Sequence, residues 1–124
     1  MNVRGPDAVL AFVAHSASQY AVDRRLIYLL ECSLGSYGVC RTVAAHPRLF
    51  AAIAPICGGA NSEDAAGLVG VVTRAFHGAP NEAVLIAEIK RIIEAVRDAG
   101  GSHRQTILFS GAHGICRAVC KRPD

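Results

Sequence analysis

Ser33, Asn81 and His113 each close a stretch of apolar chain, and in that order they supply the parts of a nucleophilic acyl-transfer site. A serine hydroxyl attacks a carbonyl only when a neighbouring imidazole takes its proton, and the imidazole is oriented by a third group that accepts its other N–H. Ser33 stands in the turn Glu31-Cys32-Ser33-Leu34-Gly35, followed by Ser36-Tyr37-Gly38. Small residues there are a steric requirement, because the backbone of a nucleophile held above a strand is strained and its neighbours pass close. Each residue alone has an ordinary alternative: a serine before a helix is a cap, and a histidine between small residues is a surface loop. A rival grouping takes His113, Cys116 and Cys120, at helical spacings of three and four, as metal ligands. No fourth ligand stands at a recognisable spacing, so no metal and no cofactor are expected.

The elements that must position these residues follow from hydrophobic period. Pro6 opens a helix whose apolar positions Val9, Leu10, Phe12, Val13, Ala17 and Tyr20 recur at helical spacing. Leu26 to Leu30 is a continuous apolar run, too short for a helix, and predicts a strand buried on both faces that ends just before Ser33. Ser36 to Ala45 predicts a second helix, stopped by His46-Pro47. Phe50 to Ile56 and Val69 to Phe76 predict two more strands around a polar excursion from Asn61 to Gly67, with His77-Gly78-Ala79-Pro80 as the turn closing the second of them. Ile86, Ile89, Ile92, Ile93 and Val96 line one face of a long helix, opposite Glu88, Lys90, Arg91, Glu94 and Arg97, with Gly100-Gly101 as its stop. Thr106 to Phe109 predicts a fourth strand and Gly114 to Cys120 a terminal helix.

Strands alternating with helices predict an α/β fold, a mostly parallel sheet of about four strands with helices on both faces. Chemistry in such sheets sits beyond the carboxyl ends of the strands, and Ser33, Asn81 and His113 follow three of them. The chain of 124 residues is the length of one domain, 52% hydrophobic and 19% charged, which suits a packed core rather than disorder. Its net charge of +3 is scattered, with one short cluster at Arg117, Lys121 and Arg122, too thin a footprint for nucleic acid. The longest apolar run, Leu49 to Cys57, is interrupted by Pro55 and far short of the ~20 residues that cross a bilayer. The first residues lack the apolar block of a signal peptide, and the expected compartment is the cytoplasm. The five cysteines, an odd number set in apolar or helical segments, are expected as buried free thiols rather than a disulfide framework.

The strand and turn "RLIYLLECSLGSYGV", the run "AAHPRLFAAIAPICGGA", the segment "AFHGAPNEAV" and "GAHGI" around the histidine occur in one order along nearly the whole chain. Together they resemble the α/β-hydrolase superfamily, in particular esterases of the phospholipase/carboxylesterase-like or feruloyl-esterase-like kind, over the C-terminal half of that fold. The resemblance implies a carboxylic ester hydrolase with Ser33 as nucleophile on a strand-to-helix elbow and His113 as general base. It implies a small-molecule ester as substrate and the Leu34 backbone N–H as an oxyanion donor. It sets Cys32 beside the elbow apex, not on it.

The chain departs from that pattern at three places. Glu31 replaces the glycine expected two residues before the nucleophile and puts a bulky charge at a crowded turn. Asn81 occupies the acid position in "HGAPN", where an amide cannot stabilise an imidazolium as a carboxylate does; the adjacent Glu82 is the substitute acid. The strands that usually precede the first helix, and the loop that gives the second oxyanion donor, have no counterpart, so residues 1–124 read as a single truncated domain. The first strand would then expose an unpaired edge and apolar faces, predicting a homo-oligomer or a complementing chain. The alternative function is a non-catalytic hydrolase-like interaction module, its activity lost through Glu31, Asn81 and the absent oxyanion loop.

Overall fold

A computed structural model of the chain describes residues 5–78, 86–108 and 115–121. Its elements are α1 (Pro6–Gln19), β1 (Tyr28–Cys32), α2 (Gly35–Ala45), β2 (Ala52–Ile56), a 3-10 turn over Ser62–Asp64, α3 (Ala65–Leu68), β3 (Val72–Gly78), α4 (Ile86–Asp98), β4 (His103–Leu108) and α5 (Cys116–Cys120). The four strands form one parallel sheet in the order β1-β2-β3-β4. The expected α/β architecture of about four strands is therefore present, and every connection crosses over, as parallel pairing demands.

Strand alternation divides the sheet into two unequal faces. Leu29, Ile53, Thr73, Ala75, His77 and His103 point to one side, where α2, α3 and α4 cover them and Val39, Val43, Leu68, Ile89, Ile92, Ile93 and Val96 complete a continuous core. Val9 and Val13 of α1 pack against the margin of that core. On the other side, Tyr28, Ala52 and Val72 stand abreast by register, as do Leu30 with Ala54 and Ile56 with Phe76. There Tyr28 is 55%, Leu30 53% and Val72 66% exposed. Arg74 lays its guanidinium 5.2 Å from the centre of the Phe76 ring, a cation–π contact on the open face. Only at the carboxyl ends of the strands does α5 cover this side, where Ile115, Cys116 and Val119 pack on Cys32, Ile56, Cys57 and Phe76.

Three expectations are corrected. The first strand is not buried on both faces, because among the described residues no helix covers the side bearing Tyr28 and Leu30. It also begins later than Leu26: Arg25 donates its backbone and side-chain N–H groups to Asp23 and Leu26 N–H bonds Asp23 O at 3.0 Å, so a turn uses those residues. The apolar run from Val69 does not start a strand either. Ala65–Leu68 is helical and Val71 N–H bonds back to Leu68 O at 3.0 Å, so burial of Val71 comes from a turn packed on the core. His77 and Gly78, read as a turn, instead pair with Ile107 and Leu108 within the sheet.

The stop of α4 holds as expected. Gly100 takes φ 94°, its N–H bonds Arg97 O at 2.9 Å, and Gly101 N–H bonds Val96 O at 2.8 Å, the paired bonds of a Schellman cap. The cysteines depart most from expectation: Cys32 and Cys116 form a disulfide, Cys40 and Cys57 are buried, and Cys120 is exposed. Sequence position gave no hint of the pairing, since the partners are 84 residues apart and meet only because α5 returns across the strand ends to β1.

Candidate active site

Ser33 takes φ 57°, the left-handed region, immediately after β1 and before α2. A non-glycine residue there is strained and persists only where its surroundings over-determine it. Those surroundings are visible. Ser33 N–H donates to Ile56 O at 2.8 Å, which continues the β1–β2 ladder by one bond past the strand. Ser33 O accepts from Ser36 N–H at 3.0 Å, tying the turn to the first residues of α2. The buried Ser36 hydroxyl lies 3.2 Å from Glu31 O and 3.4 Å from Ile56 O, so one donor bridges the last turn of both strands beneath the elbow. Ser36 was not singled out by its sequence; the signal was its place three residues after Ser33, facing the same strand ends.

The close approach that makes such a turn possible comes from Gly58. A Cβ at Gly58 would strike the Ser36 side chain and the Ser33 carbonyl, so the residue after Cys57 must be glycine for β2's end to lie under the elbow. Cys57 itself takes φ 51° and its N–H bonds Phe76 O at 2.8 Å. The "PICGG" run is thus the floor of the site.

Glu31, the bulky departure at the crowded turn, is accommodated without loss of the elbow. Its side chain folds over Gly35, and its Oε1 accepts the Cys32 N–H at 3.1 Å. The space used is the space Gly35 leaves by having no Cβ. Leu34 fills the N-cap position of α2 with helical angles, is exposed, and has no side-chain cap to offer. Among the described residues its N–H has no backbone acceptor, as an oxyanion donor requires.

Asn81 and Glu82, and also His113, lie outside the described residues. The chain on either side brackets them. Asn81 and Glu82 fall between Gly78 at the end of β3 and Ile86 at the start of α4; His113 falls between Leu108 at the end of β4 and the buried Ile115. Parallel strands put the ends of β1, β3 and β4 along one edge of the sheet, the edge that carries Ser33. The disulfide removes Cys116 from the rival metal grouping, since a sulfur bonded to Cys32 is no thiolate ligand. Among the described residues no other group of His, Cys, Asp and Glu is placed to hold an ion.

No protein-family model matches the chain, and no curated protein matches it in sequence. Solved structures do. A thermostable esterase superposes with a TM-score of 0.86 at 23% identity, over 94% of this chain and 33% of its own. The acylaminoacyl peptidase of Pyrococcus horikoshii superposes with a TM-score of 0.75 at 14% identity, over 89% of this chain and 24% of its own. A point variant of SOBER1 from Arabidopsis thaliana gives 0.76 at 14%, over 91% and 57%. This chain spans between about a quarter and somewhat over half of those proteins.

Proposed function

The chain carries part of an α/β-hydrolase fold, and from that premise we propose that it is a serine ester hydrolase acting on a small carboxylic ester. The observation that carries the reading is Ser33 at φ 57° on a strand-to-helix turn, with its backbone N–H bonded to β2 and the Leu34 N–H open beside it. A serine held this way projects from the sheet edge at the point where an acyl group approaches. His113 takes the Ser33 proton as Oγ bonds to the ester carbonyl carbon, and the oxyanion formed accepts from Leu34 N–H. His113 then returns the proton to the departing alcohol. Water, deprotonated by the same imidazole, releases the acid and restores Ser33. Asn81 fills the acid position with Glu82 next to it, and an amide there leaves the imidazolium without a counter-charge.

The test is hydrolysis of a short-chain p-nitrophenyl ester by the purified protein beside Ser33→Ala, with circular dichroism on both. Turnover lost in a folded Ser33→Ala supports the reading. Equal turnover in the two proteins sinks it.

The second reading, a non-catalytic interaction module, draws on a different observation: the apolar face of Tyr28, Leu30 and Val72 left open to solvent. Binding without turnover by a folded sample would favour it.

A further inference from the structure

Beneath α1 lies an apolar space that the proposed chemistry does not use. Val9, Phe12 and Val13 of α1 face Ile27, Leu29 and Phe50 across a groove of about 230 Å³. We propose that this groove binds the hydrocarbon chain of a free medium-chain carboxylate, with the carboxylate paired to Arg24 at its margin.

The walls follow from the sequence. Val9, Phe12 and Val13 stand at positions i, i+3 and i+4 and so share one side of the helix, while Ile27 and Leu29, alternate residues of the extended chain, share the covered side of the sheet. The walls do not close on each other: α1 buries no residue, and Phe12 is 71% exposed at the rim. At about 30 Å³ for each chain atom, the liquid share of one water, the space takes roughly eight atoms, an octanoate-sized chain.

No residue lining the groove carries a charge, so the sign of what enters is set at its margin. Val22 and Ile27 both line the groove, and the turn between them, closed by Leu26 N–H on Asp23 O, holds Asp23, Arg24 and Arg25. Arg25 is engaged, since its backbone and side-chain N–H groups donate to the Asp23 carboxylate. Among the described residues Arg24 has no ion-pair partner. The turn therefore offers one uncompensated guanidinium, the side chain whose planar fork matches a carboxylate. The C-terminal dipole of α1 opposes an anion with about half a charge, less than the full charge of Arg24. Along an extended chain Ile27 stands about 20 Å from Ser33, so a carboxylate at Arg24 leaves the elbow free. The site is thus independent of the ester hydrolase reading.

The experiment titrates the purified protein with sodium octanoate, sodium hexanoate and 1-octanol, read by amide chemical shifts, beside Arg24→Glu and Ser16→Phe. Arg24 is exposed and the half-buried Ser16 lines the groove, so one variant reverses the charge and the other fills the space. Circular dichroism establishes that each is folded. Octanoate is expected to shift residues 9–16, 22–29 and 50. From hexanoate to octanoate the affinity should rise about fifteenfold, some fourfold for each buried methylene. Arg24→Glu should weaken octanoate about fivefold or more and leave octanol nearly unchanged, while a folded Ser16→Phe weakens both. Octanoate binding equally well to Arg24→Glu overturns the pairing, whatever Ser16→Phe does. Shifts centred on residues 31–36 would place octanoate at the elbow, and shifts centred on Leu30, Val72 and Phe76 would place it on the open sheet face; either overturns the groove. Octanoate shifts that fade as protein concentration rises would give the groove to a second copy. Capture by phosphatidylglycerol vesicles without an octanoate response would give it to a membrane surface, and both results overturn the proposal. So does the absence of any shift up to about 10 mM octanoate, where a site of millimolar Kd is filled.

Discussion

At the scale of single residues, the elbow is built from two glycines that leave space for specific neighbours. Gly58 lies against the Ser36 side chain and the Ser33 carbonyl, and backbone does not move aside. Gly58→Ala is therefore expected to destabilise the protein by about 2–3 kcal/mol, the range for overpacking a fixed site, and to lower turnover through the displaced elbow. Urea midpoints for Gly58→Ala and for Gly70→Ala, whose Cβ would meet open space, check this; equal midpoints would refute the close approach. Gly35 differs because its neighbour is the side chain of Glu31. Gly35→Ala should cost about 1–2 kcal/mol, and Glu31→Ala in the same molecule should recover most of it. A double-mutant cycle without coupling would show that Glu31 does not use the space Gly35 leaves. On the proposed reading, Asn81→Asp supplies a counter-charge for the His113 imidazolium. The amide in place of an acid costs a serine protease roughly four orders of magnitude, so a gain of about tenfold or more in kcat is expected. No gain would mean that Glu82 already serves or that the site is inactive for another reason.

Elements were legible where a single period ruled and illegible where two structures share a composition. The spacing of Ile86, Ile89, Ile92, Ile93 and Val96 has one reading, and α4 buries four of those five with its cap at Gly100 and Gly101. The run from Val69 to Phe76 has two, since β-branched residues suit a buried turn as well as a strand, and the boundary fell at Val72 because Val71 bonds back to α3. The turn at Ser33 was legible because the residues that build it are neighbours in the chain. The disulfide was not, because its partners are brought together only by the return of α5 across the sheet. Histidine at the start of β4 carries a consequence that composition also hides. His103 is buried among the core, and burial pushes its imidazole below the ordinary value, with the Ser102 backbone carbonyl, an acceptor that favours the protonated ring, opposing and the Arg97 charge adding to the depression. Its folded pKa lies below its unfolded one, so the unfolded chain binds the extra proton first. The contribution is complete above pH ~6.5 and is lost as pH falls through the folded value. Urea unfolding at pH ~7.5 and ~5.5, on either side of the ordinary imidazole value, should show a lower midpoint at the acid end, with the difference reduced in His103→Gln. An unchanged difference would exclude this residue.

The whole molecule poses a problem of cover. One sheet face is sealed by α2, α3 and α4, while the other bares Tyr28, Leu30 and Val72, and β1 is an edge strand with the exposed Leu26 at its approach. Among the described residues nothing covers that part of the face, and in a purified sample a second copy can. Two copies related by a two-fold axis can set these open faces against each other, each covering the Tyr28, Leu30 and Val72 of the other. Burying Tyr28, Leu30 and Val72 stabilises such a pair by about 1.5–3 kcal/mol each, against an association cost of about 4–15 kcal/mol. The margin is small. Association is therefore expected to be concentration-dependent, with molar mass rising from the 13.0 kDa monomer toward twice that value across the micromolar range. Static light scattering after size exclusion measures it, at two loading concentrations and two salt concentrations. Because the contact is apolar, added salt should not weaken it. Tyr28→Lys/Val72→Lys places like charges on the joined surface and should hold the protein monomeric, while Ser33, at the far end of its strand, keeps whatever turnover it has. A wild-type chain that stays at 13.0 kDa at every concentration would mean that water alone covers the face. A dimer broken by salt would mean that charge, not the open sheet, holds the two copies together.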